Sequence, residues 1–217
     1  MKIQYTNNVF IDTANSLMHE FKDDTSNTLL IVGAINLCYR YSYEEYTKGY
    51  DKVIIFNQEP YDCDLVNSYR DSYFNWLRCA DEVWDYEEMN VQYLAGLGIK
   101  TKLHILKPYM NWNMYAVPDK DIDILFIGTL YDRRKKVIDF LKRKYIVTVT
   151  PDQTYGEVLD DYILRSKILL NIHGTTSFQE QARMVKWLGA PCKIISERSI
   201  HNYLDVPEMD YWELFCL

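Results

Sequence analysis

The hydrophobic and polar positions of this chain follow two alternating patterns. Short runs of apolar, often β-branched residues predict buried strands, and stretches with apolar positions at helical spacing lie between them. The predicted strands cover residues 2–5, 28–35, 52–56, 82–84, 101–106, 121–127, 145–150, 168–172 and 193–196. The predicted helices cover 13–21, 69–79, 87–97 and 155–166, with further helix starts at Asp132 and Ser177. Strands that alternate with helices indicate βαβ units, so we expect an α/β fold with parallel sheets.

Residues 107–120 interrupt this alternation. They include Pro108, Trp112 and Pro118 and show no clear periodicity, which indicates a connection between two halves. We therefore expect two Rossmann-like parallel-sheet halves, residues 1–107 and 108–217, that face each other across a cleft.

Composition and charge narrow the class of protein. The 217 residues carry a formal net charge of −7, which lacks the basic excess typical of nonspecific nucleic-acid binding. The five cysteines form no C-x-x-C pair and the four histidines no H-E-x-x-H pattern, so neither a zinc site nor a disulfide framework is indicated. The chain has no secretory signal at its start and no apolar stretch of about 18 residues. We expect a cytoplasmic protein, in the host cytoplasm if viral, that does not bind membranes.

The common cofactor motifs are also missing. No G-x-G-x-x-G follows a predicted strand and no G-x-x-x-x-G-K-[ST] occurs, which argues against a nicotinamide, flavin or P-loop site. The sequence Asp121-Ile122-Asp123 opens a predicted strand rather than ending one, so it does not fit a metal-binding D-x-D motif. We therefore expect neither a cofactor nor a bound metal.

The most informative stretch is residues 167–197, which predicts a strand, a helix and a second strand. Ser177 followed by Glu180 is a capping-box pattern, and Gly189 predicts the end of the helix. Polar side chains collect at one end of this unit: His173 follows the first strand, Glu180 and Arg183 lie in the first turns of the helix, and Glu197 closes the second strand. Ligands bind beyond the carboxyl ends of parallel strands, so these four residues are candidates for one binding crevice. Each also has a purely structural interpretation, as a buried histidine, a helix cap, an ion-pair partner or a loop residue.

A second candidate follows the strand at 121–127. Gly128 and Thr129 precede Asp132, a fair N-cap, and Arg133 and Arg134 then fall in the first helical turn, where each opposes the helix dipole by up to about 1 kcal/mol. A helix N-terminus with added arginine suits a phosphate, and a glycine beside it lets a ligand approach the backbone. We infer a diphosphate site there. The alternative is a solvated basic helix face, because Lys135 and Lys136 continue the run.

Two features of the first half are candidates for chemistry. Glu59 follows a buried strand, where a carboxylate can act as a general base; the alternative is a loop carboxylate beside a turn-forming proline. The stretch Asp81-Glu82-Val83-Trp84-Asp85-Tyr86 with Asn90 is the other feature. Its structural interpretation is a core tryptophan, Asp85 as an N-cap and Asn90 on a helix surface.

These patterns together resemble those of one enzyme class. Asn171-Ile172-His173, then Glu180 and Arg183, then Ile194-Ile195-Ser196-Glu197 resembles the C-terminal half of GT-B glycosyltransferases, especially small bacterial and phage members. The stretch 81–86 with Asn90 is similar to one that lies near the cleft in that class. The resemblance implies that a glycine-containing loop and a basic residue hold a nucleotide diphosphate, and that a carboxylate near 180–197 binds the ribose. The chain is shorter than is usual for the class, so we expect acceptor-binding elements to be trimmed or supplied by a partner.

We therefore expect transfer of a sugar from a nucleotide-diphosphate sugar, with UDP-sugars favoured, to a hydroxyl of a glycan, protein or small molecule. Arginine side chains would neutralise the leaving diphosphate, and Glu59 would be the base if configuration inverts. Three alternatives stay open: a phage-type transferase acting on hydroxymethylated bases in DNA, a noncatalytic module that binds a nucleotide or a partner, and a sugar-nucleotide epimerase.

Overall fold

The computed structural model describes residues 1–61, 63–151, 153–174 and 177–217. The chain divides into two compact units, Met1–Tyr109 and Met110–Leu217. Each unit contains a five-stranded parallel sheet flanked by helices, which confirms the expected α/β class and its parallel sheets. Within the described ranges, no helix is long and apolar enough to cross a bilayer.

The first unit has strands in sequential order, β1-β2-β3-β4-β5. The strands are β1 (Lys2–Tyr5), β2 (Thr28–Val32), β3 (Lys52–Asn57), β4 (Glu82–Asp85) and β5 (Thr101–Leu103). The helices are α1 (Ile11–Glu20), α2 (Tyr43–Thr47), α3 (Asp64–Ser68), α4 (Arg70–Cys79) and α5 (Glu88–Gly96), with 3-10 turns at Asn8–Phe10 and Ala34–Asn36.

Both faces of this first sheet are covered. Successive side chains along a strand point to opposite faces. On one face Ile55 and Val83 pack against α4 and the 3-10 turn after β2. On the other, Phe21 at the end of α1 contacts Trp84, with ring centroids 5.5 Å apart. The connection after β1 therefore leaves to one face and the connection after β2 to the other.

The second unit has the strand order β10-β9-β8-β6-β7. Its strands are β6 (Ile122–Phe126), β7 (Val147–Val149), β8 (Ser166–Asn171), β9 (Lys193–Glu197) and β10 (Glu208–Met209). Its helices are α6 (Asp132–Leu141), α7 (Gly156–Leu164) and α8 (Gln181–Met184), with 3-10 turns at Trp112–Met114 and Glu213–Cys216.

The order of these strands creates a switch point between β6 and β8. From β6 the chain goes to β7 on one side, then returns past β6 to β8 on the other. Leu169 packs with residues of α7 on one face and Leu170 with residues of α6 on the opposite face. The loops that follow β6 and β8 therefore diverge at the carboxyl edge, which is where open parallel sheets of this order bind ligands.

The expected helix start at Ser177 is wrong. The helix α8 begins only at Gln181, and residues 177–180 are non-helical. Gln179 is fully buried and donates to the Asn202 side chain at 2.7 Å, while the Ser177 carbonyl accepts from Ile200 N at 2.9 Å. Glu180 pairs with arginines instead of capping the helix. Tertiary hydrogen bonds therefore replace the capping box.

The expected N-cap at Asp132 is also wrong. Asp132 is the first residue of α6, and Tyr131 is the N-cap, with no side-chain hydrogen bond to the helix. Three strands are shorter than the apolar runs that predicted them: β2 ends at Val32, β5 ends at Leu103, and β7 covers only Val147–Val149. Ile35, beyond the end of β2, packs in the core from the 3-10 turn Ala34–Asn36.

Candidate functional site

The loop after β6 brings Gly128 against Arg183. Gly128 has φ +133°, a conformation that side-chain-bearing residues rarely adopt. A Cβ atom at this position would lie 3.1 Å from Nη2 of Arg183. The glycine thus allows a guanidinium to lie directly on the backbone at the switch point.

A carboxylate joins this arginine to a second one. Glu180 accepts a hydrogen bond from Arg134 Nη2 at 2.7 Å and forms an ion pair with Arg183 Nη1 at 2.6 Å. Arg183 Nη1 also donates to Asn171 Oδ1 at 3.1 Å. Asn171 is the buried last residue of β8, and its amide donates to Ser196 Oγ at 3.0 Å. Asn171 is not among the site residues predicted from the sequence, although an amide inside an apolar strand is a usable signal.

Arg134 has a structural role in this cluster, because its hydrogen bonds join two segments of the chain. It is buried, and its Nε donates to Ile172 O at 2.9 Å while its Nη1 donates to Thr129 O at 3.1 Å. Burial lowers the pKa of this guanidinium, and Glu180 opposes the effect. Arg134 thus fixes the loop that carries Thr129 to the end of β8.

Arg133 forms a separate pair with Glu197. Its Nη1 donates to Glu197 Oε2 at 2.7 Å and its Nη2 to the other carboxylate oxygen. The same carboxylate accepts from the backbone N–H of His173 at 2.9 Å. The ring of Tyr211 lies under the guanidinium, 4.1 Å away. Glu197 raises the pKa of Arg133, which therefore carries its charge at every physiological pH.

An open hollow of about 680 Å³ lies beside these pairs. It is lined by the start of α6 and the segment after β8, namely Leu130, Tyr131, Asp132, Arg133, His173, Gly174 and Ser177. Because no described side chain caps α6, its first backbone N–H groups are available at this end. His173 is 1% exposed, its Nε2 lies 3.3 Å from Ser199 Oγ, and its Nδ1 has no partner among the described residues.

The predicted residues of the second unit are therefore brought together, but in two roles. Arg133 and His173 line the hollow. Arg134 and Arg183 share Glu180 and bond to the end of β8, and Glu197 pairs with Arg133. Three arginines and two glutamates leave a formal charge of +1 on this cluster, and Asp132 adds one negative charge at the hollow.

Glu59 belongs to the first unit, two residues beyond β3. Its backbone carbonyl accepts from the side-chain amides of Asn57 and Asn90, each at 3.2 Å. Asn90 also accepts from Tyr61 N at 3.1 Å. Burial raises the pKa of the half-buried Glu59 carboxyl. Two amides from neighbouring elements thus hold the loop that presents this carboxylate.

Buried residues of the stretch 81–86, together with Asn90, hold the loop that contains Glu59 in place. Asp85 is fully buried at the end of β4 and accepts from Asn57 Nδ2 and from Glu87 N, the latter at 2.8 Å. Asn90 is 1% exposed. Glu87, rather than Asp85, is the N-cap of α5. The interpretation of Asp85 as a cap and Asn90 as a surface residue is therefore wrong. Asn57 is not among the predicted site residues, because no motif surrounds its strand-end amide.

The described residues contain no group of three or more His, Cys, Asp and Glu side chains arranged to hold a metal ion.

Comparisons with known proteins give relatives in one virus. No protein-family model matches the chain. It is 32% identical over 122 residues to "Uncharacterized protein L140" of Acanthamoeba polyphaga mimivirus, a match that covers 54% of this chain and 38% of that protein. It is 32% identical over 95 residues to "Uncharacterized protein L138" of the same virus, covering 42% and 11%, and 26% identical over 173 residues to its "Uncharacterized protein L137", covering 74% and 22%. The matches thus span less than two fifths of the length of each of these relatives.

Proposed function

We propose that the chain is a metal-independent glycosyltransferase that binds a nucleotide-diphosphate sugar at the carboxyl edge of the second sheet and transfers the sugar to a hydroxyl. The observation that carries the proposal is the hollow at the switch point. It combines the uncapped N-terminus of α6, the charged Arg133 and a buried His173 nitrogen without a partner among the described residues. Helix N-termini with added arginine favour phosphate groups.

In this proposal the diphosphate lies against the first turn of α6. The backbone N–H groups of that turn and Arg133 would hold its oxygens, and the His173 nitrogen would complete the contact. Charge grows on the diphosphate as the sugar leaves, so fixed donors at this place stabilise the transition state more than the ground state. Arg134, Glu180 and Glu197 act indirectly, by fixing the loop and the arginines before the donor binds.

In the same proposal, Arg183 contributes to diphosphate binding at the loop that contains Gly128. Its guanidinium covers the backbone of the loop after β6. Its Nη1 donates to Asn171 and forms an ion pair with Glu180, whereas its Nη2 is directed to Gly128, beside the switch point. A donor phosphate that approaches this loop would meet a cation there.

In the proposal, Glu59 is the base that activates the acceptor hydroxyl if configuration inverts. A carboxyl with a raised pKa takes up a proton more readily near neutral pH. The amides of Asn57 and Asn90 bond to the Glu59 carbonyl rather than to its carboxylate, so they hold the loop without occupying the carboxylate oxygens. This arrangement favours a reactive role over a structural one.

The test is incubation with a panel of nucleotide sugars, with hydrolysis and transfer followed by NMR. The proposal expects release of a nucleoside diphosphate, strongest with one donor. Glu59→Gln should slow the release without weakening donor binding. The matched control is Glu88→Gln, on the first turn of α5. Binding of a nucleotide without any release of sugar would indicate the noncatalytic module, and an altered nucleotide sugar without acceptor would indicate an epimerase.

A further inference from the structure

The first unit has its own hollow at the carboxyl edge of its sheet. It measures about 560 Å³ and is lined by residues that follow β1 and β2, among them Asn7, Asn36, Tyr39, Arg40, Tyr41 and Tyr46. None of the site residues predicted from the sequence lies in the described part of its lining. The hollow is therefore a second concave surface, separate from the one at α6.

Its position in the sheet is one where ligands bind. The connection after β1 leads to α1 on the face of Trp84, and the connection after β2 leads to the face of Ile55 and Val83. Neighbouring loops that leave to opposite faces open a crevice between the carboxyl ends of their strands. The hollow occupies this crevice between β1 and β2.

Tyrosine side chains are held in place at the hollow, whose accessible wall is mostly polar. Tyr39 is 45% exposed and stacks on Tyr69, with ring centroids 4.8 Å apart. Tyr41 is 52% exposed and contacts Tyr46, which in turn contacts the buried Trp76 at 5.7 Å. Side chains that are fixed by neighbouring rings present their hydroxyl groups with little loss of entropy on binding.

The polar groups of the hollow are mostly neutral. Asn36 donates to Thr6 Oγ1 at 3.1 Å, which leaves its carbonyl oxygen as an acceptor. Asn7 accepts from Val9 N at 3.3 Å, which leaves its NH₂ group as a donor. Arg40 is the single charged side chain among the described residues of the lining, and its guanidinium lies 5.1 Å from the Tyr39 ring.

We propose that this hollow binds a carbohydrate ring. A sugar has a rim of hydroxyls, which can exchange hydrogen bonds with the amides and tyrosine hydroxyls of this mostly polar hollow. A nucleic-acid strand would need several cations along its phosphates, and the described lining supplies one. Under the proposed function this sugar would be the acceptor, so that role depends on the proposed function, whereas the binding itself does not.

The test is saturation-transfer NMR with the full chain and a panel of neutral disaccharides containing hexose, N-acetylhexosamine and deoxyhexose units. The variant Tyr39→Ala with Tyr41→Ala removes the two exposed rings, and Asn36→Leu removes the amide. The matched control is Tyr115→Ala, a tyrosine of the second unit that is 39% exposed. We expect at least one disaccharide to bind, with affinity lowered about tenfold or more in both hollow variants and unchanged in the control.

Two results would overturn the proposal: no binding by any member of the panel, or binding that the hollow variants leave unchanged. Nucleotide binding is measured on the same samples. Carbohydrate binding that depends on Tyr39 and Tyr41 in a chain that binds no nucleotide would support this inference and contradict the proposed function. Nucleotide binding without carbohydrate binding would contradict this inference and leave the proposed function standing.

Discussion

Replacement of Asp85 by asparagine should remove a specific part of the pH dependence of stability. Asp85 is fully buried in the first unit, and its carboxylate accepts from the amide of Asn57 and from Glu87 N. Burial raises its pKa from 3.8 to about 8, which outweighs the lowering effect of these hydrogen bonds. Near neutral pH the folded state therefore keeps a proton that the unfolded chain has released.

The magnitude follows from proton linkage. Between the unfolded pKa near 3.8 and the folded pKa near 8, the folded state binds one more proton, so the free energy of unfolding falls by about 1.4 kcal/mol for each pH unit. The stabilisation is complete below the unfolded pKa and is lost as the pH rises toward 8. From pH 5 to pH 7 the ionisation of this single group should lower the free energy of unfolding of the wild-type chain by roughly 2–3 kcal/mol. The asparagine side chain cannot ionise, so Asp85→Asn should lack this loss.

The assay is urea unfolding at several pH values between 5 and 8, read by hydrogen exchange of peptides from β3 and β4. Peptide-level exchange reports the first unit alone, even if the two units unfold separately. The control is Asp139→Asn, an exposed residue of the second unit whose pKa is lowered by Lys135. Stability profiles for wild type and Asp85→Asn that run parallel across this range would refute the reasoning.

Three further substitutions test the second unit. Gly128→Ala should destabilise by about 1–3 kcal/mol, because its φ is strained for alanine, and should displace Arg183; thermal denaturation measures the first effect. Asp132→Asn removes a negative charge from the hollow, so calorimetry should show diphosphate binding strengthened by roughly threefold. Lys186→Met leaves the buried Asp160 without its partner at 2.7 Å, and denaturant unfolding should show a loss of about 3–5 kcal/mol.

The sequence is informative where a pattern depends on neighbouring residues. Apolar runs locate the strands of both sheets. The polar residues at the carboxyl ends of β8 and β9 predict that His173 and Glu197 lie close together, as the hydrogen bond between them shows. Gly128 stands out because of its place after a strand. These features follow from strand polarity, which places carboxyl ends at one edge.

Features that depend on distant partners could not be predicted. Ser177 and Glu180 match a capping box, but Glu180 is drawn to two arginines, one of them from another helix. Nothing local indicates that Asn57 and Asn90 meet at the Glu59 carbonyl. The sequence indicates an ion pair for Arg183 but none for Arg133 and Arg134, because the carboxylates that pair with these two lie 64 and 46 positions further along the chain.

The central claim is that arginines at the carboxyl edge of the second sheet hold a nucleotide diphosphate. Calorimetry with UDP and GDP tests it most directly, on wild type, Arg183→Ala, and Arg133→Gln combined with Glu197→Gln, which removes a cation without leaving its carboxylate unpaired. Arg165→Gln is the control, since Arg165 pairs with Asp121 at the opposite edge of the same sheet. We predict that wild type and the control bind one of these nucleotides, and that both test variants lose tenfold or more in affinity, about 1.4 kcal/mol of binding free energy. Unchanged affinity in Arg183→Ala, or no binding by the wild-type chain, would contradict the account.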